Sequence, residues 1–203
     1  KYSMEDYMKW MQVFSHIKNP VIAFTNEPSI GKKLKHIRRH LRNQTYIEEL
    51  SVHKTWAFSL DKSRAIYHRL NQRLKKNLTY SHEYISVTHA KYEFIAKALR
   101  KNPYRTKYFA WVDLSLFKEY TANRSFSLYI PPNFDQGKVA FSEAKIPKDY
   151  SVKDIFENTR SWVCGCIFLA KAAVMKEWVI DYVKSVQKFL RQGYINTDEQ
   201  VIY

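Results

Sequence analysis

No stretch of this 203-residue chain comes near 18 uninterrupted apolar residues, the length at which a helix can cross a bilayer, so no membrane-spanning helix is expected. The opening KYSMEDYMKWMQ is interrupted early by acids and lacks the shape of a secretion signal. Cysteine is nearly missing: Cys164 and Cys166 are the two, one residue apart. On a strand they point to the same face, but a bridge between them is strained. No second pair exists to complete a four-ligand metal site. Free buried thiols in a reducing, cytoplasmic compartment are the expectation. Repeats, low-complexity tracts and clear linkers are also missing, as are zinc-finger spacing, an RNP-type aromatic signature and a basic zipper.

Acids are scarce beside bases: 19 Asp and Glu against 34 Lys and Arg, a net charge of +15. Such charge favours polyanionic partners, whether nucleic acid, an acidic membrane surface or a phosphorylated small molecule. The basic residues are spread along helical segments among tyrosines, so a solvated cationic surface accounts for them equally well. Three glycosylation sequons, at Asn43, Asn77 and Asn123, matter only in a secretory lumen, and nothing places the chain there.

With 45% hydrophobic residues the chain can build a substantial core. Residues 3–17 repeat apolar positions at helical spacing behind a Ser3/Asp6 cap. PVIAFT (20–25) reads as a buried strand, 28–42 as a basic helix opened by Pro28, and TYIEEL (45–50) as a second strand. Residues 61–76 and 83–101 read as helices, the latter stopped at Asn102-Pro103. KYFAWVD (107–113) is a strand apolar on both faces, as in sheets covered by helices on each side. A loop over 121–137 follows, then an edge strand at 138–144, a short helix at 151–159 and a buried strand at 162–170. A helix over 171–192 ends at Gly193, and a last helix starts at Asn196 or Thr197. This alternation means one α/β domain with a central, mostly parallel mixed sheet flanked by helices.

Three places carry chemistry. Asp113 ends a strand, where α/β sheets bind ligands. With Ser115 it offers oxygens to a hard divalent ion; equally, it caps the next turn. Gly165 interrupts a buried strand, which marks either a close approach or a bulge. NTDEQ (196–200) sets Asp198 and Glu199 at a helix start, where acids also serve as ordinary first-turn residues.

The order of these pieces resembles a GT-A nucleotide-sugar glycosyltransferase. KYEFIAKALRKNPYRTKYFAWVD (91–113), TDEQ (197–200) and PVIAFTNE (20–27) resemble the bacterial HtrL/YibB group. Cys164-Gly165-Cys166 and Asp198-Glu199-Gln200 resemble the N-S-G-V and D-Q-D stretches of glycogenin-like retaining enzymes, and the combination is also similar to a glycosyltransferase domain of chlorella viruses. The resemblance implies a nucleotide-binding part over about 1–115 and a sugar and acceptor part over about 116–203. It implies a UDP-sugar donor, a glycan acceptor, and Mn²⁺ or Mg²⁺ at Asp113 and Ser115. Lys91 and Gly165 would meet the nucleotide diphosphate. Asp198 and Glu199 would carry catalysis, with retention favoured over inversion. Asp135 and Glu143 are further donor-sugar candidates, His89 an assistant to Lys91, and Tyr120, Tyr129 and Trp162 stacking candidates. Ser115 stands where the usual motif has a second Asp, and the chain opens on a helix rather than on the strand whose loop meets the nucleobase. The rival reading is a non-catalytic basic α/β domain that binds nucleic acid.

Overall fold

Ser3 opens the first helix through a reciprocal cap. Its hydroxyl accepts from the Asp6 amide, and the Asp6 carboxylate accepts from the Ser3 amide. The computed structural model describes residues 3–74, 79–121 and 124–203. Two of the sequons, at Asn77 and Asn123, and the end of the helix expected to reach residue 76 lie outside the described residues; Asn43 is exposed.

The N-terminal third is a small parallel unit. Helix α1 (Met4–Met11) is followed by strand β1 (Val21–Thr25), helix α2 (Pro28–Ile37) and strand β2 (Thr45–Glu49). β1 and β2 pair in parallel from Val21 opposite Thr45 to Thr25 opposite Glu49, with α2 as the crossover. Met11, Leu34 and Ile37 form its core, packed against Ala23 and Ile47.

The basic helix expected to continue to residue 42 stops at Ile37, and a 3-10 turn over Arg39–Gln44 replaces its end. The cause is Arg38, which is 0% exposed. Its guanidinium donates to the carbonyls of Phe14 (2.5 Å), Ile17 (2.8 Å) and Asn19 (2.9 Å) and to the Thr45 hydroxyl (2.8 Å). Those acceptors lie before β1 and at the start of β2, so a rigid five-donor fork ties the unit together.

The rest of the chain supplies helices α3 (Asp61–Leu74) and α4 (His82–Lys101), strands β3 (Tyr108–Val112) and β4 (Ala140–Glu143), and helix α5 (Val152–Glu157). Strand β5 (Val163–Lys171) and helices α6 (Ala172–Arg191) and α7 (Asp198–Ile202) complete it. The Ser81 hydroxyl caps α4, and Asn102 closes it in the left-handed conformation one residue before Pro103. Gly193, at φ +82°, follows α6, a backbone shape that favours glycine.

The α/β class and the flanking helices are as expected, but the sheet is divided. Besides the parallel β1–β2 pair there is a three-stranded sheet of order β3-β5-β4, in which β5 runs antiparallel to both neighbours. β3 is therefore an edge. Phe109 and Trp111 pack on the core while Ala110 is exposed, so burial on both faces, expected for this strand, does not hold. The core joins α4, β5 and α6 through Tyr92, Ile95, Phe168, Ala170, Met175, Val179, Tyr182 and Val186. Tyr92 stacks on Tyr182 with centroids 3.5 Å apart and on Phe168 at 5.7 Å. Among the described residues no helix is long and apolar enough to cross a membrane.

Candidate functional site

Lys91 sits halfway along α4 on a face turned to β5. Its ammonium lies 2.8 Å from Asp198 Oδ2, donates to the Gly165 carbonyl at 2.9 Å, and stands 5.8 Å from the centre of the Trp111 ring. Lys91 is 6% exposed and Asp198 2%. Taking both charges out of water costs several kcal/mol per ion; the short ion pair, the carbonyl and a bond from the Tyr92 hydroxyl to Asp198 Oδ2 (3.4 Å) offset that cost.

Gly165 is bonded on both sides. Its carbonyl takes Lys91, and its amide donates to Glu199 Oε1 at 3.0 Å. A β-carbon here would sit 2.5 Å from Asp198 Oδ2 and 3.2 Å from Lys91 Nζ, so the close approach is real. So is the bulge. The β4–β5 register jumps from Phe141 opposite Phe168 to Ser142 opposite Cys164, and the inward face of β5 shifts from Val163 and Gly165 to Phe168 and Ala170. The two sequence readings of Gly165 describe one arrangement.

That irregularity also corrects the expectation for the cysteines. Cys164 and Cys166 have Cα atoms 5.3 Å apart and are joined as a disulfide, leaving no free cysteine. The bulge brings the two residues into bridging range, and the inference of a reducing compartment from free thiols lapses.

NTDEQ is pinned by its outer residues. Asn196 donates to the Phe156 carbonyl, the Thr197 hydroxyl donates to Gln200 Oε1, and Gln200 donates to the Arg160 carbonyl. Thr197 holds the cap position of α7 without a capping bond. Asp198 and Glu199 are thereby presented to β5, one holding Lys91 and the other holding the Gly165 amide.

Asp113 ends β3 beside this group. Its amide donates to the Cys166 carbonyl at 2.8 Å, and its Oδ1 accepts from Trp111 Nε1 at 2.6 Å. It makes no side-chain cap to the following 3-10 turn, so capping does not account for it. Burial raises its pKa above 3.8 and Asp198 adds to the rise, while Lys91 and the Trp111 bond oppose it. Burial likewise raises Glu199 above 4.5, against the Gly165 amide. The site is thus a buried ammonium–carboxylate pair flanked by two half-buried carboxylates that hold protons more tightly than in water.

Ser115 is half-buried in the turn Leu114–Phe117. No cluster of three or more His, Cys, Asp or Glu is arranged to hold a metal among the described residues. Asp113 Oδ2 carries no hydrogen bond among them, and a carboxylate and a hydroxyl are oxygen donors of the kind a hard cation takes.

The remaining candidates stand elsewhere. His89 is interior, its Nδ1 2.6 Å from the Tyr182 hydroxyl, and burial pushes it down to about 4. It is a neutral core histidine rather than an aid to Lys91. Asp135 is exposed in a turn with Lys138 and the Gly137 amide, and Glu143 points outward from the edge strand. Tyr129 is 84% exposed, Tyr120 packs on Phe117 and Phe126, and the Trp162 carbonyl accepts from Ala144 and Lys145. Sequence reading missed Trp111, which links Lys91 to Asp113, and Tyr92, which reaches Asp198. For Trp111 the signal was present, because residues two apart on a strand share a face.

A family model described as "Bacterial protein of unknown function (HtrL_YibB)" matches residues 1–203, and the chain belongs to that family. It is 23% identical over 212 residues to Protein HtrL of Escherichia coli (strain K12), an alignment covering 99% of this chain and 73% of that protein. No solved structure matches.

Proposed function

We propose that this HtrL/YibB family member is a glycosyltransferase that moves a sugar from a nucleotide diphosphate sugar, UDP by resemblance, to a glycan acceptor. The observation that carries the reading is convergence. Lys91, Asp113, Gly165, Asp198 and Glu199 come from four separate segments and meet around one buried ammonium.

The donor's diphosphate needs positive charge as it departs, and Lys91 provides a point charge already held in place. Asp198 Oδ2 is engaged with Lys91 and Tyr92, so the part assigned to Asp198 is to position the lysine. Glu199 is the more open carboxylate, with a raised proton affinity suited to acid–base work. In an inverting reaction it takes the acceptor hydroxyl's proton. In the retaining course, which the D-E-Q resemblance favours, the departing phosphate takes that proton and Glu199 orients the sugar. Asp113 Oδ2 and the Ser115 hydroxyl would hold Mn²⁺ or Mg²⁺. A bound ion of that kind supplies Lewis acidity toward the diphosphate oxygens.

The test is thermal unfolding with UDP, Mn²⁺ and both. The expected outcome is a clear rise with both together and little with either alone; a ligand at a hundredfold its Kd adds about 2.7 kcal/mol. A second reading rests on α2 and the turn after it. Lys32, Lys33, Lys35, Arg39 and Arg42 are exposed, with no ion pair among the described residues. That stripe suits nucleic acid or an anionic membrane where acceptors lie. No response to UDP with Mn²⁺, together with a strongly salt-dependent rise with RNA or DNA, would favour nucleic acid over transfer.

A further inference from the structure

Two turns before Lys91 on α4, the helix carries apolar surface that the core does not use. Tyr84, Val87 and Lys91 follow at i, i+3 and i+7 and share one face. Tyr84 is 50% exposed and Val87 45%. Tyr84 does not hang free: its ring stacks on Tyr80, with centroids 4.8 Å apart and planes at 22°. The pair is a braced aromatic surface, and a side chain with only two rotatable bonds loses little freedom when a ligand lands on it.

The surface continues into the site. Tyr84 lies within electrostatic reach of Asp113, Asp198 and Glu199, and burial, Tyr80 and these acids push its phenol up to about 12. Lys91 lies seven positions beyond Tyr84, about 10 Å along the axis, the kind of distance a ribose bridges between a base and its phosphates. The carboxylates exclude an anionic ring, and they suit a neutral one that brings its own N–H donors.

We infer that the Tyr80–Tyr84 stack, with Val87, is the nucleobase subsite, holding a neutral base whose diphosphate reaches Lys91 and Asp113. This rests on the nucleotide-sugar reading above. It moves base recognition from the loop of an opening strand to the first turns of α4.

Calorimetric titration in the presence of Mn²⁺, with UDP, UDP-sugar and inorganic pyrophosphate as separate probes, tests it. Tyr84→Ala should weaken UDP about fivefold to a hundredfold and leave pyrophosphate unchanged. Tyr84→Phe should bind UDP as the wild type does, and Tyr80→Ala should show a smaller loss. Circular dichroism checks that the variants fold, above all Tyr80→Ala, because Tyr80 is half-buried against Ile66, Leu70, Ile85 and Ile195. Wild-type affinity for UDP in Tyr84→Ala overturns the subsite while leaving the transferase reading intact. Loss confined to UDP-sugar, with UDP unaffected, also overturns it, because the ring held would then be the sugar. Equal losses for UDP and pyrophosphate overturn it too, since Tyr84 would then act on the phosphates. A wild type that binds neither UDP nor pyrophosphate sinks the transferase reading, and this one with it.

Discussion

Two long cationic side chains are buried among the described residues, Arg38 and Lys91, and they are held in opposite ways. Arg38 is surrounded by neutral oxygens: the carbonyls of Phe14, Ile17 and Asn19 and the Thr45 hydroxyl. Lys91 faces a carboxylate, Asp198, with Asp113 and Glu199 nearby. Arg38 needs no counter-charge because its donors are spread over a plane and shared among backbone groups that must be bonded anyway. It stitches the parallel unit and offers nothing to a ligand. Lys91 is a compact charge held between one full anion and one carbonyl. On the proposed reading, an incoming diphosphate draws on it without dismantling the fold. The lesson is that the neighbours of a buried cation, not its burial, separate a structural tie from a site.

The strongest way to break this contrast is Arg38→Met. Five acceptors lose their donor, the Gln44 carbonyl at 3.5 Å among them, and each buried one left bare costs about 1–3 kcal/mol. A loss of at least about 3 kcal/mol is expected, read from the urea midpoint. The fraction that remains folded should bind UDP with Mn²⁺ as the wild type does. A cost below about 1 kcal/mol would show that Arg38 is not the tie.

Next in size is the Lys91 pair. Lys91→Met strands Asp198 as an unpaired buried charge, at about 3–5 kcal/mol. Replacing both, Lys91→Met with Asp198→Leu, should recover most of that stability, because buried ion pairs often exchange for apolar residues at little cost. Nucleotide binding should stay lost in the double variant. Restored stability with restored binding would remove Lys91 from the site and erase the distinction from Arg38.

The two cations also differ in how they could be read. Lys91 was singled out only through the family resemblance carried by residues 91–113, because the same helix also holds Lys97, Arg100 and Lys101. Element positions were legible from the residues themselves, since hydrophobic period and Ser, Pro, Asn and Gly punctuation act locally. Arg38 lies in KKLKHIRRHLR, where one of several alike residues turns inward. Only tertiary contacts choose which, and they cut the helix short. Strand direction was hidden likewise. Nothing local to WVCGCIFLA says that it runs antiparallel between β3 and β4, or that the bulge at Gly165 pairs the two cysteines. The roles within DEQ were half legible: two carboxylates at a site, but not that Asp198 is spent on Lys91 while Glu199 stays open.

The smallest expected effect concerns protons. Folding raises the pKa values of Asp113 and Glu199 above 3.8 and 4.5, in both cases chiefly through burial. The folded chain therefore holds protons that the unfolded chain has released, so each acid's contribution is full below its ordinary value and is lost as pH rises through the raised one. Asp113→Asn and Glu199→Gln cannot lose it. The general charge repulsion of a +15 protein is nearly common to wild type and variant and drops out of their difference. As pH rises past the ordinary values of 3.8 and 4.5, the wild-type urea midpoint should fall relative to that of each variant. Arg38→Met should show no such window, because no carboxylate bears on Arg38. A wild-type-minus-variant difference that is flat with pH would mean that Asp113 and Glu199 ionise as they do in water. Glu199 would then lack the raised proton affinity that the proposed acid–base role asks of it.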